Sequence, residues 1–352
     1  MPGGSVTNAT NNNRRSASMS DVAKLAGVAL GTVSNALNSP EKLSQDTLKR
    51  VQSAIEELGF VRNRAARSLA AGTSNTIGFV LADLSNSFFV DMARGAEEAA
   101  QEVKMSVLLA NSDVLVPKQK TYLNLFDEER VAGILLAPIP GYLDGVKKAR
   151  DHGRDVVLLN ESTADASLCS VIVNNEHGGY LAAKHLIDLG RTRLMFAGLN
   201  DDVTPVRDRR AGVIRAVAEA GGSVTIEHFQ TPEVRVEDGR LVADEILGRA
   251  ELDRPDGVVA AADLLAVGLL QELTARSAIR IPADIAVVGH DNNQSAWNST
   301  IPLTTISQPG HDLGVAAAQL LIDEIKHPGR HVHRTVVLEP TLIKKESSVG
   351  RH

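Results

Sequence analysis

From Thr76 onward the chain alternates short apolar runs with longer amphipathic stretches, and this rhythm limits the fold more than any other feature of the sequence. Runs of strand character fall at 77–81, 106–109, 133–136, 156–159, 171–173, 194–197, 257–260 and 285–288. Helical periodicity fills most of the intervals. Strands separated by crossover helices return in parallel, so the pattern predicts parallel sheets covered by helices on both faces. About 270 residues exceed one doubly wound unit, so two such lobes are expected.

The preceding residues follow a different rule. Ser20 is placed to N-cap a first helix, with Asp21 in its first turn, where a carboxylate favours the positive end of the helix dipole. Val22, Ala23 and Ala26 share one face, and Gly27 suits a left-handed stop. A second helix over 30–37 turns Val33, Ala36 and Leu37 inward, and Ser44 caps a third whose inner face is Leu48, Val51, Ile55 and Leu58. Three short helices, the first two joined by a tight glycine turn, describe a helix-turn-helix unit. The ten residues NRAARSLAAG at 63–72 favour helix but are too few to be stable alone, so they should order only against a partner.

The net charge of −6 has the wrong sign for a nucleic-acid binder until it is divided. Residues 1–72 carry nine Lys/Arg against five Asp/Glu, a net +4, while the remainder carries 28 against 38, a net −10. That is a small polyanion-binding head on an acidic body. No run approaches roughly 18 consecutive apolar residues, so no membrane span is expected. Residues 1–18 include Arg14 and Arg15 but no apolar segment of signal-peptide kind, and their Gly/Ser/Asn/Thr bias reads as a disordered tail, with Met19 as good a start as Met1. A cytoplasmic protein is the expectation. The single cysteine, Cys169, excludes an internal disulfide and a Cys-cluster zinc site. The chain thus divides into a tail over 1–18, a helix-turn-helix domain over 19–62, a hinge helix and linker over 63–75, and a core over 76–352.

Several co-linear motifs then carry a resemblance. In the head they are Asp21-Val22-Ala23, Ala26-Gly27-Val28, Thr32-Val33-Ser34, Ala36-Leu37-Asn38, Asn63-Arg64 and Ala66-Arg67-Ser68-Leu69. In the body they include Ile77-Gly78, Ser85-Asn86, Phe88-Phe89, Ala132-Gly133-Ile134-Leu135, Arg209 with Ala211-Gly212, Asp263-Leu264, Val287-Val288-Gly289, Asp291, and Pro302-Leu303-Thr304-Thr305 with Gln308. Together they resemble the lactose-repressor/purine-repressor family of bacterial transcription regulators over nearly the whole length after the tail. The resemblance implies a small all-α helix-turn-helix DNA-binding head and an α/β core of two doubly wound parallel-sheet lobes, like a periplasmic sugar-binding protein. It implies an N-terminal lobe of about 76–173 plus 310–337 and a C-terminal lobe of about 174–306 plus 338–347. A small-molecule effector would lie between the lobes, and a homodimer would bind a palindromic double-stranded DNA operator. The chain ends KKESSVGRH without leucine heptads, which favours a dimer over a tetramer.

By position in the resemblance, Leu30, Gly31 and Asn35 face DNA bases, and Thr32 and Ser34 the backbone. Asn35 can pair bidentately with adenine and Leu30 can meet a thymine methyl. Asn35 as an ordinary solvated residue, or Leu30 as part of the local core, are the plain alternatives. Ala29 stands where relatives often carry a capping Ser or Thr and cannot cap. The family places a hinge leucine, here Leu69, into the minor groove as an apolar wedge; its alternative is a linker leucine packed on the core. Arg64 and Arg67 would supply phosphate contacts, and Asn63 is a further DNA-binding position.

The resemblance places Asn86, Phe88, Phe89, Asn160, Glu161, Arg209, Asp291 and Gln308 around the effector cleft. Aromatic faces suit ring carbons, and the polar groups supply directed donors and acceptors; Arg209 and Asp291 also suit a structural ion pair. Asn160-Glu161 replaces the Asp-Arg of sugar-binding relatives, Ala262 precedes Asp263 where many have Asn, and Val234 stands where some have an aromatic. These departures argue against a strongly anionic effector and put a standard pyranose in doubt. His290, where Phe or Tyr is usual, is either a ligand contact or a ring filling the same space.

Two rival classes fare worse. A sugar-uptake protein needs a signal peptide and lacks the head. An enzyme lacks its motifs: there is no G-x-G-x-x-G after the first strand, no phosphate-binding G-x-x-x-x-G-K-[ST], no G-x-S-x-G and no helical His pair for zinc. His331 and His333 alternate as if on a strand and are expected to face solvent rather than metal. No cofactor and no catalytic or metal residue is expected. A regulator whose cleft no longer binds a ligand stays open because of Ala262 and Glu161.

Overall fold

The computed structural model describes residues 17–60, 74–297 and 299–350, and it divides into two units between Gly72 and Thr73. The first unit is helical: α1 (Met19–Ala26), α2 (Leu30–Asn38), a 3-10 turn at Pro40–Lys42 and α3 (Gln45–Leu58). Ser18, not Ser20, caps α1. Its hydroxyl accepts from the Asp21 amide at 3.3 Å while the Asp21 carboxylate takes the Ser18 amide at 2.8 Å, a reciprocal box. Asp21 stands three residues after Ser18, the spacing that lets it reach back, so the folded head begins one residue inside the expected tail. Gly27 adopts φ +64° and ends the helix. Val22, Val33 and Val51 are fully buried at the centre, with Ala23, Ala26 and Ala54 around them.

The second unit starts with β1 (Thr76–Leu81), α4 (Ser87–Glu102), β2 (Ser106–Asn111), α5 (Val116–Glu128), β3 (Gly133–Leu136), α6 (Leu143–Asp151), β4 (Asp155–Leu159) and β5 (Cys169–Val173). It continues through α7 (Asn175–Asp188), β6 (Arg193–Gly198), α8 (Thr204–Glu219), β7 (Thr225–Gln230), α9 (Val236–Gly248), β8 (Gly257–Ala260), α10 (Asp263–Arg276), β9 (Ala286–Asp291) and β10 (Thr304–Ser307). It closes with α11 (Gly310–Lys326), β11 (Thr335–Leu338), β12 (Thr341–Ile343) and α12 (Glu346–Val349).

The strands form two six-stranded sheets, ordered β11-β5-β4-β3-β1-β2 and β12-β10-β9-β8-β6-β7. Each lobe repeats one topology. All pairings are parallel except β10 with β12, which runs antiparallel from Thr305↔Ile343 to Ser307↔Thr341. The chain therefore crosses between lobes after β5, after β10 and after β11, and the Asn174 side-chain amide donates to Glu339 at 3.0 Å to tie two crossings together.

β3, β8 and β9 are buried along their whole length, as central strands between helical layers must be. In the first lobe Ile77, Phe79 and Leu135 pack against α4 and α11, and Val80, Ile134 and Leu158 against Phe126 of α5 and Val146 of α6. In the second, Met195, Phe196, Val258 and Val287 centre the core. β7, β10, β11 and β12 lie outside the apolar runs that mark the other strands. β7 is an exposed edge, and β10 carries buried Thr304 and Thr305 whose hydroxyls are satisfied by the Lys345 carbonyl and the Asp263 carboxylate.

Candidate functional site

In doubly wound sheets ligands sit outside the carboxyl ends of the strands. The sequence-selected polar residues of the core converge there. Asn86 follows β1 and caps α4, its carbonyl oxygen accepting from the Phe88 amide at 3.0 Å and from Asn293 Nδ2 at 2.9 Å. Its own amide donates to Asp291 Oδ2 at 2.9 Å. Asn293 and Asp291 belong to the second lobe, at the end of β9. The Gln294 amide donates to Ser87 Oγ at 2.9 Å, a further bond between lobes. Asn160, Asp291 and Asn292 hold positive φ angles of 56°, 110° and 54°. Such backbone costs about 1–3 kcal/mol per residue and collects at binding sites.

Arg209 enters from α8 and is 6% exposed. Its Nε donates to Asn175 Oδ1 at 2.9 Å and its Nη1 to the Ala261 carbonyl at 2.5 Å, with Asp291 Oδ1 3.6 Å away. Gln308, in the second crossover, donates to the same Asp291 oxygen, and its own Oε1 is buried with no hydrogen-bond partner among the described residues. Two helices can deliver Arg209 this deeply because their backbones nearly touch: a Cβ on Gly179 of α7 would lie 1.8 Å from the Arg209 carbonyl oxygen. Asn175 in turn donates to Asn160 Oδ1 at 3.3 Å. Glu161 accepts from Thr204 Oγ1 at 3.1 Å, a second-lobe hydroxyl, while burial raises its pKa.

The electrostatics follow from burial. Desolvation raises the Asp291 pKa against the opposing pull of Arg209, and it drives Asp263 well above the usual carboxylate range, with Asp291 adding to the effect. Asp263 accepts from Thr305 Oγ1 and the Asn293 amide, both at 2.6 Å, and so holds the loop after β9. The site can bind polar groups in fixed directions, with one buried cation already opposed by one buried anion.

Phe88 is 4% exposed and packs in the first lobe's core, while half-buried Phe89 lies tilted beside it with ring centroids 5.5 Å apart. His290 lies under α7 beside Gly178 and is 1% exposed, its Nε2 without a hydrogen-bond partner among the described residues. Residues 331–334 form no strand, and the His331 ring is buried rather than turned to solvent. Asn175, Thr204 and Asn293 join the site without having stood out in the sequence. The paired amides Asn292-Asn293, directly after Asp291, and the pair Asn174-Asn175 were the available signals.

In the head, Leu30, Gly31 and Asn35 are exposed on α2, and Leu30 is outside the local core. Thr32 and Ser34 are half-buried, and Ser34 Oγ accepts from Asn38 Nδ2 at 3.3 Å. Ala29 makes no side-chain cap and no acidic residue occupies the first turn, so the positive end of α2 is open to an anion. Asn63, Arg64, Arg67 and Leu69, with the rest of 61–73 and the tail to residue 16, lie outside the described residues. Among the described residues no helix is long and apolar enough to cross a membrane.

Comparison with known proteins agrees with this layout. Residues 18–63 match the bacterial regulatory proteins of the lacI family, and residues 183–348 a periplasmic binding protein-like domain. The HTH-type transcriptional regulator RegA of Clostridium saccharobutylicum is 32% identical over 94% of this chain and 99% of its own length. The HTH-type transcriptional repressor PurR of Vibrio vulnificus is 31% identical over 94% and 98%. Among solved structures, a complex of the transcriptional regulator CelR with cellobiose aligns at TM-score 0.68 and 27% identity, covering 94% of this chain and 100% of that one. The lac repressor dimer bound to operator and an anti-inducer shares the fold at TM-score 0.80 and 24% identity, over 96% and 100%. Head, two-lobed core and full-length relatives together make the chain a member of the lacI family of bacterial regulatory proteins, a family of transcriptional regulators and not of enzymes.

Proposed function

We propose that this protein is a cytoplasmic, homodimeric repressor whose affinity for a palindromic operator is set by a small polar ligand, sugar-like or nucleobase-like, between the lobes. The observation that carries the reading is the sharing of Asp291: Arg209 and Gln308 hold one oxygen while Asn86, from the opposite lobe, bonds the other. A ligand with hydroxyl or amide groups can replace the Asn86 and Asn293 contacts, and in doing so it resets how the lobes meet. The opposed charges of Arg209 and Asp291, with Glu161 nearby, favour a neutral ligand over a phosphorylated one. The relatives named PurR are repressors, and the CelR structure holds cellobiose, which supports the class.

Self-association is supported by Leu108 and Leu109, neighbouring leucines left exposed on edge strand β2, since exposed apolar edges mark interfaces. The test is a thermal-shift screen of sugars, polyols and nucleobases on the full chain, followed by operator titration with each hit. A ligand at 100 times its dissociation constant stabilises by about 2.7 kcal/mol, and linkage requires that it change operator affinity by the same factor that operator changes its own. Hits that leave operator affinity unchanged would refute effector control. No hit at all favours the reading in which the internally bonded Asp291 marks a cleft that no longer binds a ligand.

A further inference from the structure

One group of side chains serves neither the cleft nor the DNA-facing helix. Cys169 opens β5 and is fully buried; Glu324 lies on the last turns of α11; His331 and His333 come from the segment that leads into β11. Their ligand atoms all lie within 4.8 Å of one another. Cys169 Sγ is 3.1 Å from His331 Nε2 and 3.8 Å from His333 Nδ1. Glu324 oxygens are 3.9 Å from His331 Nε2 and 3.7 Å from His333 Nδ1. Donors on a tetrahedral zinc ion, at bonds of about 2.0–2.3 Å, stand roughly 3.3–3.6 Å apart, and the four separations above, 3.1–3.9 Å, bracket that spacing.

Two further observations point to a ligand. Glu324 Oε2 is buried without a hydrogen-bond partner among the described residues, on a side chain that is 11% exposed. A buried carboxylate oxygen normally finds a donor. His331 turns its other nitrogen, Nδ1, to Asp323 Oδ2 at 2.7 Å. That is the carboxylate–histidine arrangement that fixes a ligating ring's tautomer and aims Nε2 at a metal. The His331 ring is 1% exposed and the His333 ring 27%, so an ion has one side from which to enter. Arg150, whose charge reaches Glu324, is itself engaged by Ser167 at 2.7 Å and Asp165 at 3.6 Å.

We propose that Cys169, Glu324, His331 and His333 bind one divalent transition-metal ion of the zinc type. The thiolate and the carboxylate neutralise its charge, and the two imidazoles complete four donors, a set suited to zinc and its cobalt surrogate. The Cys169 thiol proton leaves to solvent on binding. The ion would fasten three segments that meet only in the folded lobe: the start of β5, the end of α11 and the approach to β11. Its role is to clamp edge strand β11 onto β5, at the opposite end of the sheet from the effector cleft.

The experiment uses the full chain stripped with chelator and titrated with Co(II), then with Zn(II). The expected result is one Co(II) per chain with a thiolate-to-cobalt charge-transfer absorption, displaced by Zn(II). Cys169→Ser should remove that absorption. His333→Gln, at the more exposed ligand, should keep the fold by circular dichroism and weaken Zn(II) binding more than Asp323→Asn, which should cost about 10–100-fold by loosening the His331 ring it orients. Absence of the thiolate band in the folded wild-type chain, or equal Zn(II) affinity in wild type and His333→Gln, would overturn the site.

Discussion

Arg209 Nη1 lies 3.6 Å from Asp291 Oδ1, and the two side chains are 7% and 5% exposed. Removing one member of a buried pair strands the other, at a cost of about 3–5 kcal/mol. Asp291→Ala should destabilise the ligand-free chain by that amount in urea denaturation. Arg209→Met combined with Asp291→Ala should recover part of the loss. A single-variant cost under about 1 kcal/mol would mean that the pair is not formed in solution.

Gly179 permits the contact between α7 and α8 that seats Arg209. Gly179→Ala places a Cβ against backbone, which cannot give way as a flexible side chain would. The expected cost is about 1–3 kcal/mol or more. Gly248→Ala serves as the control, because nothing lies within 4 Å of its added Cβ and its φ is ordinary. Equal melting temperatures for the two variants would contradict the close approach.

Asn35 is exposed on α2 and free of the local core. Asn35→Ala should weaken specific operator binding by about 1–3 kcal/mol and relax preference at one symmetric pair of operator positions. A binding-site selection that returns the wild-type preference would rule out this register of the helix on DNA.

His290 carries an acid sensitivity. Burial, reinforced by Arg209, holds its pKa well below the ordinary histidine value of 6.5. The unfolded chain takes up a proton on this ring near that ordinary value and the folded chain does not. Stability from the neutral ring is therefore fully present above about pH 6.5 and is lost as pH falls toward the folded value, by up to about 1.4 kcal/mol per pH unit. His290→Phe should flatten this part of the stability profile between about pH 6.5 and 5, as followed by urea denaturation. Parallel profiles for wild type and variant would show that the ring titrates freely in the folded protein.

The central strands were legible because burial on both faces forces continuous apolar runs such as 133–136 and 285–288. β7 was not, because an edge strand needs only one apolar face and TIEHFQ shows little of that. β10 was hidden by Thr304 and Thr305, whose burial is permitted by partners some forty residues away. Arg209, Asp291 and Gln308 were found through the family resemblance, whereas Asn175 and Asn293 take their meaning only from the partners that the topology supplies. The same limit misplaced His331 and His333. Their alternation reads as a solvent-facing strand, and nothing local reveals Cys169, which stands 162 and 164 residues earlier in the chain.

The first lobe's sheet is finished by β11, and one of its faces is covered by α11, yet both lie after the last parallel strand of the second lobe in the chain. On the ribosome, therefore, β5 keeps an open hydrogen-bonding edge while residues 174–334 are made, an interval of roughly ten to thirty seconds. Leu313, Ala317 and Leu321 arrive late in that interval to cover Phe79 and Leu135. A growing chain thus holds a half-built lobe through the synthesis of its twin, with bare apolar sheet and an unpaired edge exposed together. The head, whose last described core contact is Phe60, is made before any of this. Premature termination between the two lobes leaves a fragment whose helical head is whole while its first sheet keeps an open edge and an uncovered apolar face.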